Sequence, residues 1–393
     1  MRDGWVETTL EGIAEYINGY PFKPADLGEV GLPVIRIKQL LDPNEPVDRT
    51  ETDTPDRCLL QDGDIVFSWS GTLAVRIWNR GPAKLNQHLF RVVEKKGVYK
   101  GIIPLILDHA IEELEEKSHG TTMKHITKQT LLPHKVLLPP LPEQKRIVDL
   151  ISSVDSYIEA LQQQLESAKR SRNAVVHELL NEGGDEWTET TLGQEFEICK
   201  NGKNYKDGIS TEGLPITRIQ TIAEGKIDLA KVGYGNMYAK DAEGFLLEEG
   251  DILFSHINSL PHVGKVARVQ KSHLPLIHGM NLLRMRFRNS NDTNFMFYLM
   301  QNEIMRDEIK SRAQVAVNQV SINISSIKTI KIVIPPLRTQ KEIASLIGAW
   351  DNLIEECENN LNSSRNLRVS LLSELLSGEH EIPASYDKFM GAA

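Results

Sequence analysis

Four motifs occur twice in this chain, in the same order, and that repetition limits the folds open to it. WVETTL at Trp5–Leu10 returns as WTETTL at Trp187–Leu192, and GLPVIRI at Gly31–Ile37 returns as GLPITRI at Gly213–Ile219. DGDIVFS at Asp62–Ser68 returns as EGDILFS at Glu249–Ser255, and PPLPEQKRI at Pro139–Ile147 returns as PPLRTQKEI at Pro335–Ile343. A tandem duplication of about half the chain explains this, and it can build a pseudo-twofold molecule from one polypeptide. The offset between copies grows from 182 at the tryptophans to 187 and then 196 at the double prolines. The second copy therefore carries insertions between shared motifs, where loops accept them cheaply and where recognition resides.

A chain of 393 residues with 40% hydrophobic content supports two or more domains with their own cores. Cys58, Cys199 and Cys357 lack metal-binding spacing, fit a reducing compartment and argue against a disulfide framework. No signal-peptide pattern opens the sequence and no apolar run is long enough to span a bilayer, so a cytoplasmic protein is expected. The net charge of −9 argues against a nucleic-acid binder, but its distribution argues the other way. Ile65–Val93 and Ile252–Asn291 lack Asp and Glu yet keep Arg76, Lys84, Arg91, Lys265, Arg268, Lys271, Arg284 and Arg286. Lys117–Pro142 and Ile309–Lys341 repeat the pattern before each double proline. Buried strands are acid-poor in any case; a phosphate-facing surface also explains the retained cations.

Residues 32–38, 64–68, 214–219 and 251–255 read as strands bounded by turn residues, and 108–117 and 294–306 as helices. Each copy is thus a mixed α/β globule. Beyond each double proline the pattern changes to a heptad seam. Its positions are Ile147, Ile151, Val154, Ile158, Leu161 and Leu165 in the first copy, and Ile343, Ile347, Trp350, Ile354, Cys357 and Leu361 in the second. Arg172 and Arg368 interrupt the two seams at equivalent positions. Two helices of about 60 Å at 1.5 Å per residue are expected, packed antiparallel on each other or each on a separate protein. The expected organisation is a globule over 1–141, a helix over 142–183, a globule over 184–336, a helix over 337–378 and a tail over 379–393.

These residues resemble the specificity subunit of type I restriction–modification systems, across essentially the whole chain. The resemblance rests on LLPPLPEQKRI at Leu137–Ile147, the GDI[V/L]FS strand and GLPxxRI. It implies two target-recognition domains joined by two long antiparallel coiled-coil helices. It also implies a non-catalytic reader of bipartite, asymmetric double-stranded DNA that recruits two adenine-N6 methyltransferase subunits, which two translocase/endonuclease subunits can join. The resemblance places S-adenosylmethionine, ATP and Mg²⁺ on those partners and none on this chain. Asn86-Gln87 is similar to a motif common in these domains, but the second copy has Gly279-Met280, which puts a shared role in doubt.

No phosphate-binding loop is present, and each double proline is followed by Leu rather than the aromatic an amino-methyltransferase needs. Base readout calls for polar and cationic side chains on loops. In the first domain the candidates are Ser68, Trp69, Arg76, Lys84, Asn86, Gln87, His88 and Lys124. In the second they are His256, Asn258, Lys265, Arg268, Lys271, His278, Asn281, Asn318 and Gln319. Each also has a plain structural reading. Arg36 and Arg218 sit inside a strand motif and fit bracing better than base reading. The rival class is a protein-only scaffold of two α/β modules on a coiled coil, which the net charge favours and the paired acid-free windows oppose.

Overall fold

The computed structural model describes residues 2–117, 128–181, 183–205, 212–316 and 319–390. The chain divides into two compact units, Met1–Gln163 with Asn359–Ala393, and Gln164–Glu358. Each unit takes half of each long helix, because the helices lend apolar side chains to the globular cores. Ile147, Ile151, Leu372 and Leu375 enter the first core, and Leu180, Ile343 and Ile347 enter the second.

Both units are built around the same four-stranded antiparallel sheet. In the first its order is Ala14–Asn18, Leu89–Glu94, Ile65–Ser68, Ala74–Ile77; in the second it is Phe196–Asn201, Leu283–Phe287, Ile252–Phe254, Val266–Arg268. The repeated GDI[V/L]FS motif supplies the inner strand, and its unbroken apolar run has a direct cause. Ile65 and Phe67 face the core shared with the helices, while Val66 faces a second cluster with Trp78, Leu85 and Leu89. Ile252 and Phe254 divide from Leu253 in the same way. A strand covered on both faces has no position for a polar residue.

The outer motifs pair with each other. Val6–Thr9 lies antiparallel to Lys135–Leu138 with Val6 opposite Leu138, and Thr188–Thr191 pairs with Lys331–Ile334 with Thr188 opposite Ile334. The register is identical once the offsets are removed. The glutamine of each PPLxxQK motif then ties the helix start to its globule. Gln144 Nε2 donates to Pro139 O at 2.8 Å while its Oε1 accepts from Tyr99 N at 2.7 Å. Gln340 repeats both bonds with Pro335 O and Asp292 N.

The long helices run Leu141–Asn181 and Leu337–Ser377, and the glycines that follow, Gly183 and Gly378, have positive φ. Within each unit the helix halves run antiparallel. Arg172 reaches Asp351 at 2.8 Å in one unit, and Arg368 chelates Asp155 in the other. The interruptions of the two seams are therefore one ion pair made twice, a polar device that selects register at some cost in apolar burial. Ile147, Ile151, Leu161, Leu165, Ile343, Ile347, Cys357 and Leu361 are buried; Val154, Ile158, Trp350 and Ile354 are half-buried.

Three secondary-structure expectations are corrected. The strand at 32–38 stops at Ile35, and Ile37–Leu41 is a helix because Gln39 Oε1 accepts from Arg36 N at its start. The strand at 214–219 is reduced to bridges at Ile216, followed by a 3₁₀ turn over Ile219–Ile222 that Thr221 caps. The helix at 294–306 is two helices, Thr293–Gln301 and Glu303–Ser311. Asn302 ends the first and caps the second through Ile304 N at 2.8 Å.

Candidate nucleic-acid interface

In the first unit the sequence candidates gather around one turn. Gly19 enters it so closely that a Cβ there would meet Leu85 and Asn86 carbonyl oxygens at 2.3 Å. That approach lets Tyr20 N donate to Leu85 O at 2.7 Å and Gln87 N to Tyr20 O at 3.1 Å. Asn86 is buried, its Oδ1 accepting from His88 N at 3.3 Å, so it shapes the turn. Gln87 and His88 are the exposed tip, their side-chain nitrogens 3.4 Å apart. Trp69, at the start of the adjacent hairpin loop, stacks on Phe90 at 5.6 Å and lies 6.3 Å from His88; its buried indole N–H has no acceptor among the described residues. Arg76 is exposed on the next strand.

The second unit makes the same turn from other residues. Met280 N donates to Lys203 O at 2.9 Å, as Gln87 does to Tyr20, which makes Gly279, Met280 and Asn281 the counterparts of Asn86, Gln87 and His88. A Cβ on Gly279 would stand 2.1 Å from Thr217 O, so no side chain fits where the first copy has asparagine. Asn281 takes positive φ at 70°, which asparagine tolerates better than most residues. Asn258 holds Ser255 Oγ at 3.1 Å and Ser259 N at 2.8 Å, and Lys271 is exposed on a 3₁₀ turn.

Several candidates are corrected by burial. Ser68 is fully buried and donates to Thr72 O at 2.6 Å, and Lys84 is buried with its ammonium on Thr52 O. Lys265 and Arg268 are only half-buried and stay candidates, Lys265 with its ammonium on Ala223 O and Arg268 over the Phe297 ring at 5.6 Å. His256 and His278 are buried, His278 with Nε2 on Leu282 O at 2.9 Å. Lys124 and Asn318 lie outside the described residues, and Gln319 is described only as strand backbone pairing with Ala316.

The acid-free windows are corrected as well, because several of their cations pair with acids outside them. Asp251, fully buried, meets Arg284 and Arg286 at 2.8 Å each, and Arg91 faces the equivalent Asp64 at 3.8 Å. Lys135 and Lys331 bind Glu7 and Glu189, again as equivalents. Arg36 braces Asp48 at 2.6 Å. A sequence window cannot display a partner that lies beyond its edge.

Burial pushes both His256 and His278 down to about 4. The unfolded chain binds these protons near 6.5, so the stability from neutral histidines is full above that pH and is lost as pH falls toward 4. Lowering pH from 7.5 to 5 should cost the second unit about 2 kcal/mol per histidine. Urea unfolding at both pH values checks this, and His278→Gln should flatten the dependence.

Comparison with known proteins decides the family. Residues 2–170 and 184–363 match the type I restriction modification DNA specificity domain. The chain belongs to this family. As a specificity subunit it is the DNA-recognising, non-catalytic component of a restriction–modification complex. It is 37% identical over 195 residues to the putative type I restriction enzyme MjaX specificity subunit of Methanocaldococcus jannaschii, a match spanning 49% of this chain and 46% of that one. Over 96% of its length it is 23% identical to the Escherichia coli EcoBI specificity subunit, covering 87% of it. The fold matches the S subunit from M. genitalium at a TM-score of 0.54, with 16% identity and coverage of 95% and 96%. It also matches a chain from a study of type I R-M complex assembly at 0.64, with 15% identity and coverage of 96% and 98%. Within this specificity subunit the repeated motifs build scaffold, and the exposed residues that differ between copies remain as candidates for readout. Tyr20 and Phe22, which pack at 4.9 Å beside the first turn, were missed by the sequence reading. An aromatic pair next to the exposed Gln-His tip was the available signal.

Proposed function

We propose that each recognition domain reads one half of a bipartite, asymmetric double-stranded DNA site, and that the long helices set the spacing between halves. The observation that carries this is one turn closed by the same pair of backbone hydrogen bonds, to Tyr20 in the first copy and Lys203 in the second, but built from Asn86-Gln87-His88 in one and Gly279-Met280-Asn281 in the other. A shared scaffold with different tips suits two unlike half-sites. Two adenine-N6 methyltransferase subunits, and two translocase/endonuclease subunits where present, are the proposed partners; S-adenosylmethionine, ATP and Mg²⁺ belong to them. No helix among the described residues is long and apolar enough to cross a membrane. The cytoplasm, where host DNA lies, is the proposed site of action.

Replacing Gln87 and His88 together by alanine tests the reading. Loss of polar base contacts costs about 1–3 kcal/mol of discrimination per good pair, so preference within the first half-site should relax at least tenfold. The second half-site should stay unchanged. Competition binding of the assembled methyltransferase complex to single-base variants of the site measures both; equal relaxation in the two halves would count against separate readers.

A further inference from the structure

Equivalent faces of the two long helices are used differently. In the first unit the chain beyond Ser377 folds back onto the first long helix. Arg146 holds both carboxylate oxygens of Asp387 at 2.6 and 3.0 Å, the Tyr386 hydroxyl donates to Asp149 at 2.9 Å, and Ile382 is buried in the core. The offset of 196 makes Glu342, Ser345 and Ala349 the counterparts of Arg146, Asp149 and Ser153. In the second unit Ser345 and Ala349 line an open groove of about 1020 Å³, whose lining also includes Phe297 and Arg268. That volume lies at the top of the roughly 300–1,000 Å³ typical of small-molecule sites, and the groove's open form also accommodates a peptide segment.

The first unit shows what this helix face accepts: an aromatic residue followed by one that pairs with the helix at the position of Arg146. In the second unit that position has the opposite sign. Glu342 lies outside the groove's lining, which takes the neighbouring Lys341 instead; it is exposed and pairs with Arg338, four residues earlier on the same helix, a pair worth little in solvent. This chain's own tail would bring Asp387 against Glu342 and is repelled. We propose that the groove docks a short segment of a partner subunit carrying an aromatic residue followed by a basic one. The identity of the partner as a methyltransferase subunit rests on the proposed function; the groove and its preference do not.

The probe is a fluorescein-labelled peptide of residues 381–388 bearing Asp387→Arg, titrated against the full chain by anisotropy. It should bind saturably, while the unaltered peptide should bind at least tenfold more weakly. The tethered tail keeps the first unit's own face filled through its high effective concentration. Glu342→Lys, a change at an exposed position, should reverse the preference between the two peptides. Ala349→Trp, with its melting temperature confirmed as native, should abolish binding of both. Absence of binding, or binding indifferent to both substitutions, overturns the proposal. Sequence-specific methylation by the assembled complex without peptide binding would sink the groove alone. Peptide binding without such methylation would sink the DNA-reading function and leave the groove standing.

Discussion

Asp251→Ala should destabilise the second unit by about 3–5 kcal/mol, the loss expected when one partner of a buried ion pair is removed. Asp251 is completely buried, and its oxygens meet Arg284 and Arg286 while also accepting from Glu248 N at 2.8 Å. Arg284 is only 3% exposed, so removal of the carboxylate leaves a guanidinium in the core with Leu246 O at 2.9 Å and, as counter-charge, the more distant and exposed Glu248 at 3.3 Å. The first unit supplies an internal control. Asp64 accepts from Gln61 N at 2.9 Å in the same way, but its arginine is 3.8 Å away and the pair is partly solvated. Asp64→Ala should therefore cost about 1 kcal/mol. Urea unfolding followed by tryptophan fluorescence separates the two values; equal losses would show that the arginine cluster does not hold the second unit together.

Insertion of one heptad into each long helix should change the DNA site without changing its halves. Seven residues keep the seam in phase and lengthen a helix by about 10 Å at 1.5 Å per residue. At 3.4 Å per base pair that equals about three base pairs of added spacer. Methylation of the original site should fall at least tenfold, and methylation of the lengthened site should appear. The insertions belong between Leu161 and Leu165 and between Cys357 and Leu361, away from the helix ends that enter the two cores. Unchanged spacing in a stable double-insertion protein would remove the helices as the measuring element.

The repeat, the long helices and the GDI[V/L]FS strand were legible in the sequence because each depends on a periodic or duplicated apolar pattern. The seam arginines Arg172 and Arg368 stood out as interruptions, and the structure gives the reason in Asp351 and Asp155. Candidate readers were legible only as residue types. Composition cannot distinguish a cation on a groove-facing loop from Arg284, whose counter-charge comes 33 residues earlier in sequence from Asp251. Nor can it distinguish an exposed histidine such as His88 from His278, which lies fully buried against Leu282 O. The departure at Gly279 is steric: Thr217 O occupies the space a side chain would need.

Adenine-methylation sequencing of DNA from cells expressing this chain with its methyltransferase subunit tests the central claim most directly. Two specific half-sites of different sequence, separated by a fixed run of unspecified bases and lost when this chain is deleted, are the predicted result. A single continuous motif, or the same methylation without this chain, would contradict it.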